Sequence, residues 1–260
     1  MFFDPFHSAM IPIPNLVLCI TMVVMSSFSA AEEPKQVVQT AQKFSRTIEL
    51  KQELDYLLFL PKDYDAERAD GWPMILFLHG AGERGNDLER VKVHGPPKQV
   101  ESDPDFPFVL VSPQCPKNET WDVAELNGLL DEILSKHNID TDRIYLTGLS
   151  MGGFGTWSLG ISNPERFAAI APICGGGERL SVVLAAGSRK DALKKLPVWA
   201  FHGGKDPVVP LAESESMIDA MKRVGAEDVK LTIYPEAGHD SWTKTYKDPE
   251  FYSWLLQQKR

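Results

Sequence analysis

The sequence predicts an α/β protein on an open, mostly parallel, doubly wound sheet of about eight strands, and three observations carry that expectation. Runs such as Met74-Ile-Leu-Phe-Leu78 and Phe108-Val-Leu-Val-Ser112 are almost continuously apolar, the pattern of strands covered on both faces. Between the runs lie stretches whose apolar residues recur at helical spacing. Glycines and histidines follow directly on several runs, where a parallel sheet presents its carboxyl edge and places its function.

The elements follow in chain order. Asn15 to Phe28 is an apolar run of about 14 residues, too short to cross a bilayer, and Ser29 and Ala31 fit a small-x-small cleavage site before Glu32-Glu33-Pro34. We expect residues 1–31 to be a signal peptide, residues 32–260 to be one domain, and the protein to be exported to the periplasm or medium. The alternative is an N-terminal membrane anchor, because Asp4 and no Lys or Arg precedes the apolar stretch. Lys43–Leu50 and Leu54–Leu60 read as two strands joined by a polar turn, followed by the runs at 74–78 and 108–112. Ile144–Thr147, Ala168–Ile173, Val198–Phe201 and Lys230–Tyr234 complete the sheet. Helical stripes are formed by Val123, Leu126, Leu130, Ile133 and Leu134, and by Met217, Ile218, Met221 and Val224, the second ended by Gly225. A last helix from about Pro249 carries Phe251, Trp254 and Leu255. Gly175 to Leu196 is a short insertion with room for one helix, a small lid.

The formal charge of −9 and a pI near 5.2 argue against nucleic acid or an anionic membrane as partner. Beyond the leader only Cys115 and Cys174 remain. Both follow strands that should not be neighbours, so free thiols are expected, and neither has the companions of a metal site.

Residues 144–155, Ile-Tyr-Leu-Thr-Gly-Leu-Ser-Met-Gly-Gly-Phe-Gly, run from a strand into a glycine-lined bend with Ser150 at its tip. In the strand–turn–helix context, Gly-x-Ser-x-Gly marks a nucleophile standing clear of the sheet. A Cβ at Gly148 or Gly152 would crowd the bend. A serine hydroxyl needs a base, and the base an orienting acid. His239, in Glu236-Ala-Gly-His-Asp240, follows the last apolar run, and Asp206 follows the run 198–201 in His202-Gly-Gly-Lys-Asp-Pro-Val. The order Ser150, Asp206, His239 suits a nucleophile that comes first. A turn-capping aspartate and a loop histidine are the bland readings of the last two. Asp240 is the competing acid, but its neighbour in sequence is the histidine itself, which it would have to reach around. His79 and His202 stand in His-Gly pairs after strands, where an imidazole usually binds nearby backbone, His137 ends a helix, and His94 lies in a loop.

The loop His79-Gly-Ala-Gly-Glu-Arg-Gly85 follows the run 74–78. The backbone N–H of Ala81, with that of Met151 at the mouth of a helix, could face the oxyanion of an acyl-transfer reaction. Gly82 and Gly85 would let the loop approach closely. The alternative is a plain glycine turn, and no P-loop Lys-Ser/Thr follows either glycine-rich segment.

With these residues in place, the chain resembles the α/β-hydrolase superfamily. More narrowly it is similar to secreted bacterial carboxylesterases also labelled predicted peptidases, kin to polyhydroxybutyrate-depolymerase-like and feruloyl-esterase-like enzymes and distantly to prolyl oligopeptidases. The stretches that carry the resemblance are 76–87, 143–157, 163–177 and the segments around Asp206 and His239. It implies an α/β-hydrolase fold, nucleophile, acid and base at Ser150, Asp206 and His239, and backbone oxyanion donors at Ala81 and Met151. The expected activity is ester hydrolysis through an acyl-enzyme, with no metal or organic cofactor, acting on a small-molecule or polysaccharide-linked ester. Trp121 and Trp242 are candidate pocket walls, and Trp121 reads equally well as a core anchor. Two rivals stand beside this: a serine peptidase, less favoured because no β-propeller precedes the catalytic region, and a binding protein on a hydrolase scaffold, less favoured because no triad residue is lost.

Overall fold

The computed structural model describes residues 39–49 and 51–260. The chain divides into Met1–Glu49 and Leu50–Arg260. The expected signal peptide lies outside the described residues. In the first unit, residues 39–49 have no regular structure and are exposed, so the strand expected over Lys43–Leu50 is absent from residues 43–49. Along that stretch Phe44 and Ile48 would share one strand face with Arg46 between them, and both stay open to solvent, at 88% and 68% exposure. An apolar face broken by a charge gives a sheet nothing to bury.

Among the described residues of the second unit a sheet of seven strands, against the about eight expected, runs in the order β1-β3-β2-β4-β5-β6-β7. The strands are β1 Tyr56–Phe59, β2 Trp72–Leu78, β3 Val109–Pro113, β4 Ile139–Leu149, β5 Ala169–Ile173, β6 Val198–Gly203 and β7 Val229–Tyr234. Only β1 is antiparallel to its neighbour; every other pair is parallel. The helices are α1 Gly95–Val100, α2 Val123–Lys136, α3 Met151–Ser162, α4 Arg179–Ser188, α5 Lys190–Lys195, α6 Leu211–Arg223, α7 Trp242–Lys247 and α8 Pro249–Gln257.

Two-sided burial explains the unbroken apolar runs. Side chains alternate across a strand, so Met74, Leu76 and Leu78 of β2 join the core that holds α2, α3 and α6. Ile75 and Phe77 join the opposite core with Tyr246, Phe251, Trp254 and Leu255 of α7 and α8. The helical stripes lie where expected: Leu126, Leu130 and Ile133 on α2 and Met217, Ile218 and Met221 on α6 are buried. Asp122 caps α2 by accepting from the N–H of Ala124 and Glu125. Gly225, at φ +88°, closes α6.

Two further elements differ from the sequence reading. β4 begins at Ile139, five residues before the apolar run, because Ile139 pairs with Trp72 and Arg143 donates to the Asp140 carboxylate at 2.6 Å. The insertion 175–196 holds two helices, α4 and α5, where one was expected, and α4 packs against α3 and α6. Cys115 and Cys174 are buried free thiols.

Candidate active site

The nucleophile position is made by backbone crowding at the centre of the sheet. β4 lies between β2 and β5, and its last residue, Leu149, leads into Ser150 at φ +53°, ψ −117°. A non-glycine residue in that region costs of order 1–3 kcal/mol and persists only where its surroundings over-determine it. Here they do: the Ser150 N–H donates to Ile173 O at 2.9 Å, tying the bend to β5. α3 then starts so close to β2 that a Cβ on Gly152 would stand 1.9 Å from Leu78 O. Gly148 is as crowded, its Cβ falling 2.5 Å from Gly152 O.

The acid and base come from the loops after β6 and β7. His239 Nε2 lies 2.9 Å from Ser150 Oγ, and His239 Nδ1 lies 2.7 Å from Asp206 Oδ2. The structure therefore brings together all three residues singled out from the sequence. Asp206 is aimed by its own turn: Oδ1 accepts from the N–H of Val208 and Val209 at 2.8 and 3.0 Å. A Cβ on Gly203 would meet Gly238 O at 1.9 Å, so the glycine lets the acid loop and base loop touch. Asp240, the competing acid, instead accepts from the N–H and hydroxyl of Thr243 at the start of α7.

Ala81 opens a 3-10 turn, Ala81–Glu83, after β2, and Met151 opens α3. Among the described residues neither N–H has a partner within the protein. Met151 also lies with Ser150 in the wall of a cleft of about 460 Å³ completed by Thr120, Trp121, Phe154, Gly155 and Ser158. The close approach expected of Gly82 and Gly85 is not found. A Cβ at either would meet nothing within 4 Å, and only Gly85 has a backbone reason, φ +143°. The loop is instead fastened by one backbone bond, Gly85 N–H to Cys115 O at 3.0 Å, and by side chains: Gln114 Nε2 donates to the carbonyls of Glu83 and Asp87, and Arg84 to those of Ala81 and Glu119.

The remaining aromatic and histidine residues separate into roles. Trp121 lines the cleft and also anchors it, donating from Nε1 to His79 O at 3.2 Å. Trp242 packs edge-on against the His239 ring at 5.3 Å, and His94 lies on Trp242 at 5.5 Å. His79 is structural: its Nε2 accepts from Cys115 N–H, and its Nδ1–H donates to Gly80 O at 2.6 Å. Sequence reading missed Thr120, Phe154 and Ser158 of the cleft, which carry no motif. The helical spacing of Phe154 and Ser158 along α3 from Ser150 could have found two of them.

Titration fits this geometry. Burial by itself would raise the Asp206 carboxyl, but the hydrogen bond from His239 and those from the Val209 and Val208 N–H outweigh it and hold the group below its ordinary range. Burial pushes His79 down to about 4 and the Cys174 thiol up to about 12. One group of potential metal ligands occurs among the described residues: atoms of Cys174, Asp206 and His239 lie within 4.8 Å of one another. Its thiol is kept protonated by burial, and its carboxylate and imidazole already bind each other.

Comparison with known proteins agrees with this construction. Residues 106–250, over half of the chain, match the family described as Phospholipase/Carboxylesterase. A probable feruloyl esterase C of Aspergillus niger is 26% identical over 201 residues, covering 74% of this chain and 69% of the relative. A poly(3-hydroxyoctanoate) depolymerase of Pseudomonas fluorescens is 26% identical over 194 residues, 66% of this chain and 69% of the relative. A crystal structure of a thermostable esterase superposes with a TM-score of 0.65 at 33% identity, covering 80% of this chain and 60% of that one. The sheet with its nucleophile elbow and the match across 106–250 place the chain in the phospholipase/carboxylesterase family of α/β-hydrolases, as a serine esterase.

Proposed function

We propose that the protein cleaves carboxylic esters through an acyl-enzyme on Ser150, with His239 as general base and acid, Asp206 as its orienting acid, and the Ala81 and Met151 N–H groups as oxyanion donors. The observation that carries this reading is the unbroken relay from Ser150 Oγ through His239 to Asp206, at 2.9 and 2.7 Å. An ionised Asp206 accepts from Nδ1–H, which leaves Nε2 with a lone pair for the serine proton. His239 takes that proton as Ser150 attacks the ester carbonyl, and returns it to the leaving alcohol. Water, deprotonated by His239, then attacks the acyl-enzyme and releases the acid and Ser150. Negative charge on the carbonyl oxygen is met by the two unpartnered amides, where one such donor is worth about 3 kcal/mol of transition-state stabilisation.

For the substrate we propose an acyl or feruloyl ester carried on a polysaccharide. Trp121 and Phe154 give the cleft beside Ser150 two aromatic walls, suited to a flat apolar acyl group, and one relative is named as a feruloyl esterase. Export is part of the same proposal, supported by the apolar segment 15–28 and the small residues after it.

Rates on p-nitrophenyl esters of increasing acyl length, on methyl ferulate and on peptide anilides test the reading. Turnover of the esters with none of the anilides is expected. Anilide cleavage at comparable rates would replace it with a peptidase. Mass measurement of the secreted protein's N-terminus tests export, with cleavage after Ala31 expected.

A further inference from the structure

A second buried histidine faces the acid of the relay. His202, the penultimate residue of β6, has no exposed surface, and neither has the Asp206 side chain. Its Nε2 lies 2.9 Å from Val209 O and 3.3 Å from Asp206 Oδ2, the same oxygen that accepts from His239. On the far side of the ring, Nδ1 lies 2.7 Å from Ser214 Oγ on α6, and that hydroxyl is 2.8 Å from Gly175 O.

These contacts fix where the proton must be. A peptide carbonyl only accepts, and an ionised carboxylate only accepts. An unprotonated Nε2 would therefore aim its lone pair at two acceptors in a dry pocket, an arrangement whose cost nothing nearby offsets. Nε2 is therefore a donor, and the Ser214 hydroxyl adapts to it, because its single proton can turn either to Gly175 O or to Nδ1. The consequence reaches Asp206, whose two oxygens are then held differently. Oδ1 is fixed by the N–H groups of Val208 and Val209, and Oδ2 sits between two imidazoles. Without His202, His239 alone among the described residues would face Oδ2, and only the two N–H bonds to Oδ1 would resist rotation about Cβ–Cγ when His239 tilts toward the leaving group.

We infer that His202 is a positioning residue for the esterase reaction: its Nε2–H, hydrogen-bonded to Val209 O, turns its positive end toward Asp206 Oδ2 at 3.3 Å and so favours the carboxylate orientation in line with His239 Nδ1, while Ser214 keeps the ring from turning. The inference rests on the assignment of Ser150, Asp206 and His239 made above. Ser214 couples the arrangement to α6 and to Gly175, the residue that begins the α4–α5 insertion.

The glutamine side chain can place an amide N–H near the Nε2 position of histidine, and the asparagine side chain one near Nδ1. His202→Asn should lower kcat roughly 10- to 100-fold, the usual effect of removing a group that orients a site residue, with KM for a p-nitrophenyl ester unchanged. His202→Gln should recover most of that loss. In proton NMR of the whole protein the far-downfield resonance of the His239–Asp206 hydrogen bond should shift or broaden in His202→Asn and persist in His202→Gln. Folded His202→Asn with wild-type kcat and an unmoved resonance would overturn the inference. Equal losses in both variants would reduce His202 to a packing residue. Should the variants fail to fold, nitrogen-15 NMR of the unmodified protein decides, because a His202 Nε2 without a proton contradicts the geometry directly. Ser150→Ala run alongside separates the two levels. If it remains active the triad assignment fails, and if it is dead while His202→Asn is not, only the role of His202 fails.

Discussion

The two halves of the site are held in place by different means. At the elbow, Ser150 is fixed by backbone alone: Gly148 and Gly152 let β2, β4 and α3 approach to distances no side chain would permit, and a bond to Ile173 O locks the strained bend. Across the cleft, Asp206 and His239 stand on loops and are aimed by side-chain hydrogen bonds, with His202 and Ser214 behind them. A backbone device tolerates no substitution but needs no further support. A side-chain device can be loosened one bond at a time, and its failures should be graded.

The largest effect should come from the nucleophile itself. Ser150→Ala removes the attacking atom and should lower kcat roughly ten-thousand- to million-fold, while circular dichroism and Tm stay near wild type. On the loop side, Asp206→Asn should cost kcat up to about ten-thousand-fold by favouring the wrong imidazole tautomer. That loss should exceed the one expected for His202→Asn, because Asp206 binds His239 directly. A drop from Asp206→Asn no greater than from His202→Asn would break the comparison.

The glycines sharpen it in stability. Gly152→Ala drives a Cβ into Leu78 O, and urea unfolding should record a loss of at least about 3 kcal/mol or no folded protein. Gly82→Ala, one turn away on the oxyanion loop, meets open space and should stay within about 0.5 kcal/mol. Equal costs at the two positions would mean that crowding does not build the elbow.

The last effect is a pH dependence, absent at neutral pH and felt only in acid. Burial holds His79 at about 4 in the folded protein, against about 6.5 in an unfolded chain. The unfolded form therefore takes up this proton first as pH falls. Stability from neutral His79 is complete above about pH 6.5 and declines toward pH 4, by roughly 3 kcal/mol at the limit. Asp206, whose carboxyl lies below its ordinary value, acts in the same direction but at lower pH. Its stabilisation is present above the unfolded value and is lost only as pH falls through the folded one. Tm of the wild type should begin to fall below pH 6.5, and that of His79→Gln should stay level until the carboxylates titrate near pH 4.

The same contrast decided what could be read from the chain. Backbone crowding writes itself in glycine, so Gly148-Leu-Ser-Met-Gly152 after an apolar run was enough to locate the elbow. Two-sided burial writes itself in unbroken apolar runs, and six of the seven strands stood out that way or nearly so. Asp206 and His239 were legible because each follows such a run at the sheet's carboxyl edge. What His202 faces was not legible: His-Gly after a strand reads as an imidazole bound to local backbone, which is half true, since Nε2 bonds Val209 O but also faces Asp206 Oδ2 at 3.3 Å. The approach of Asp206 depends on how the turn 203–206 folds back, which no local pattern encodes. Lys43–Leu50 misleads for the opposite reason: Phe44 and Ile48 recur at strand spacing, but Arg46 between them leaves no continuous apolar face to bury. The oxyanion loop is a middle case. Its place was correct, but Gly82 is free of crowding and the loop is tied by Gln114 and Arg84, long-range bonds invisible in sequence.

The most direct test of the site is covalent. An alkyl fluorophosphonate incubated with the purified protein at neutral pH, followed by digestion and mass mapping, should place one phosphonyl group per molecule on Ser150, with esterase activity lost in step. A protein that stays unlabelled, or that carries the group on another hydroxyl with Ser150 untouched, would contradict the nucleophile role on which every assignment here depends.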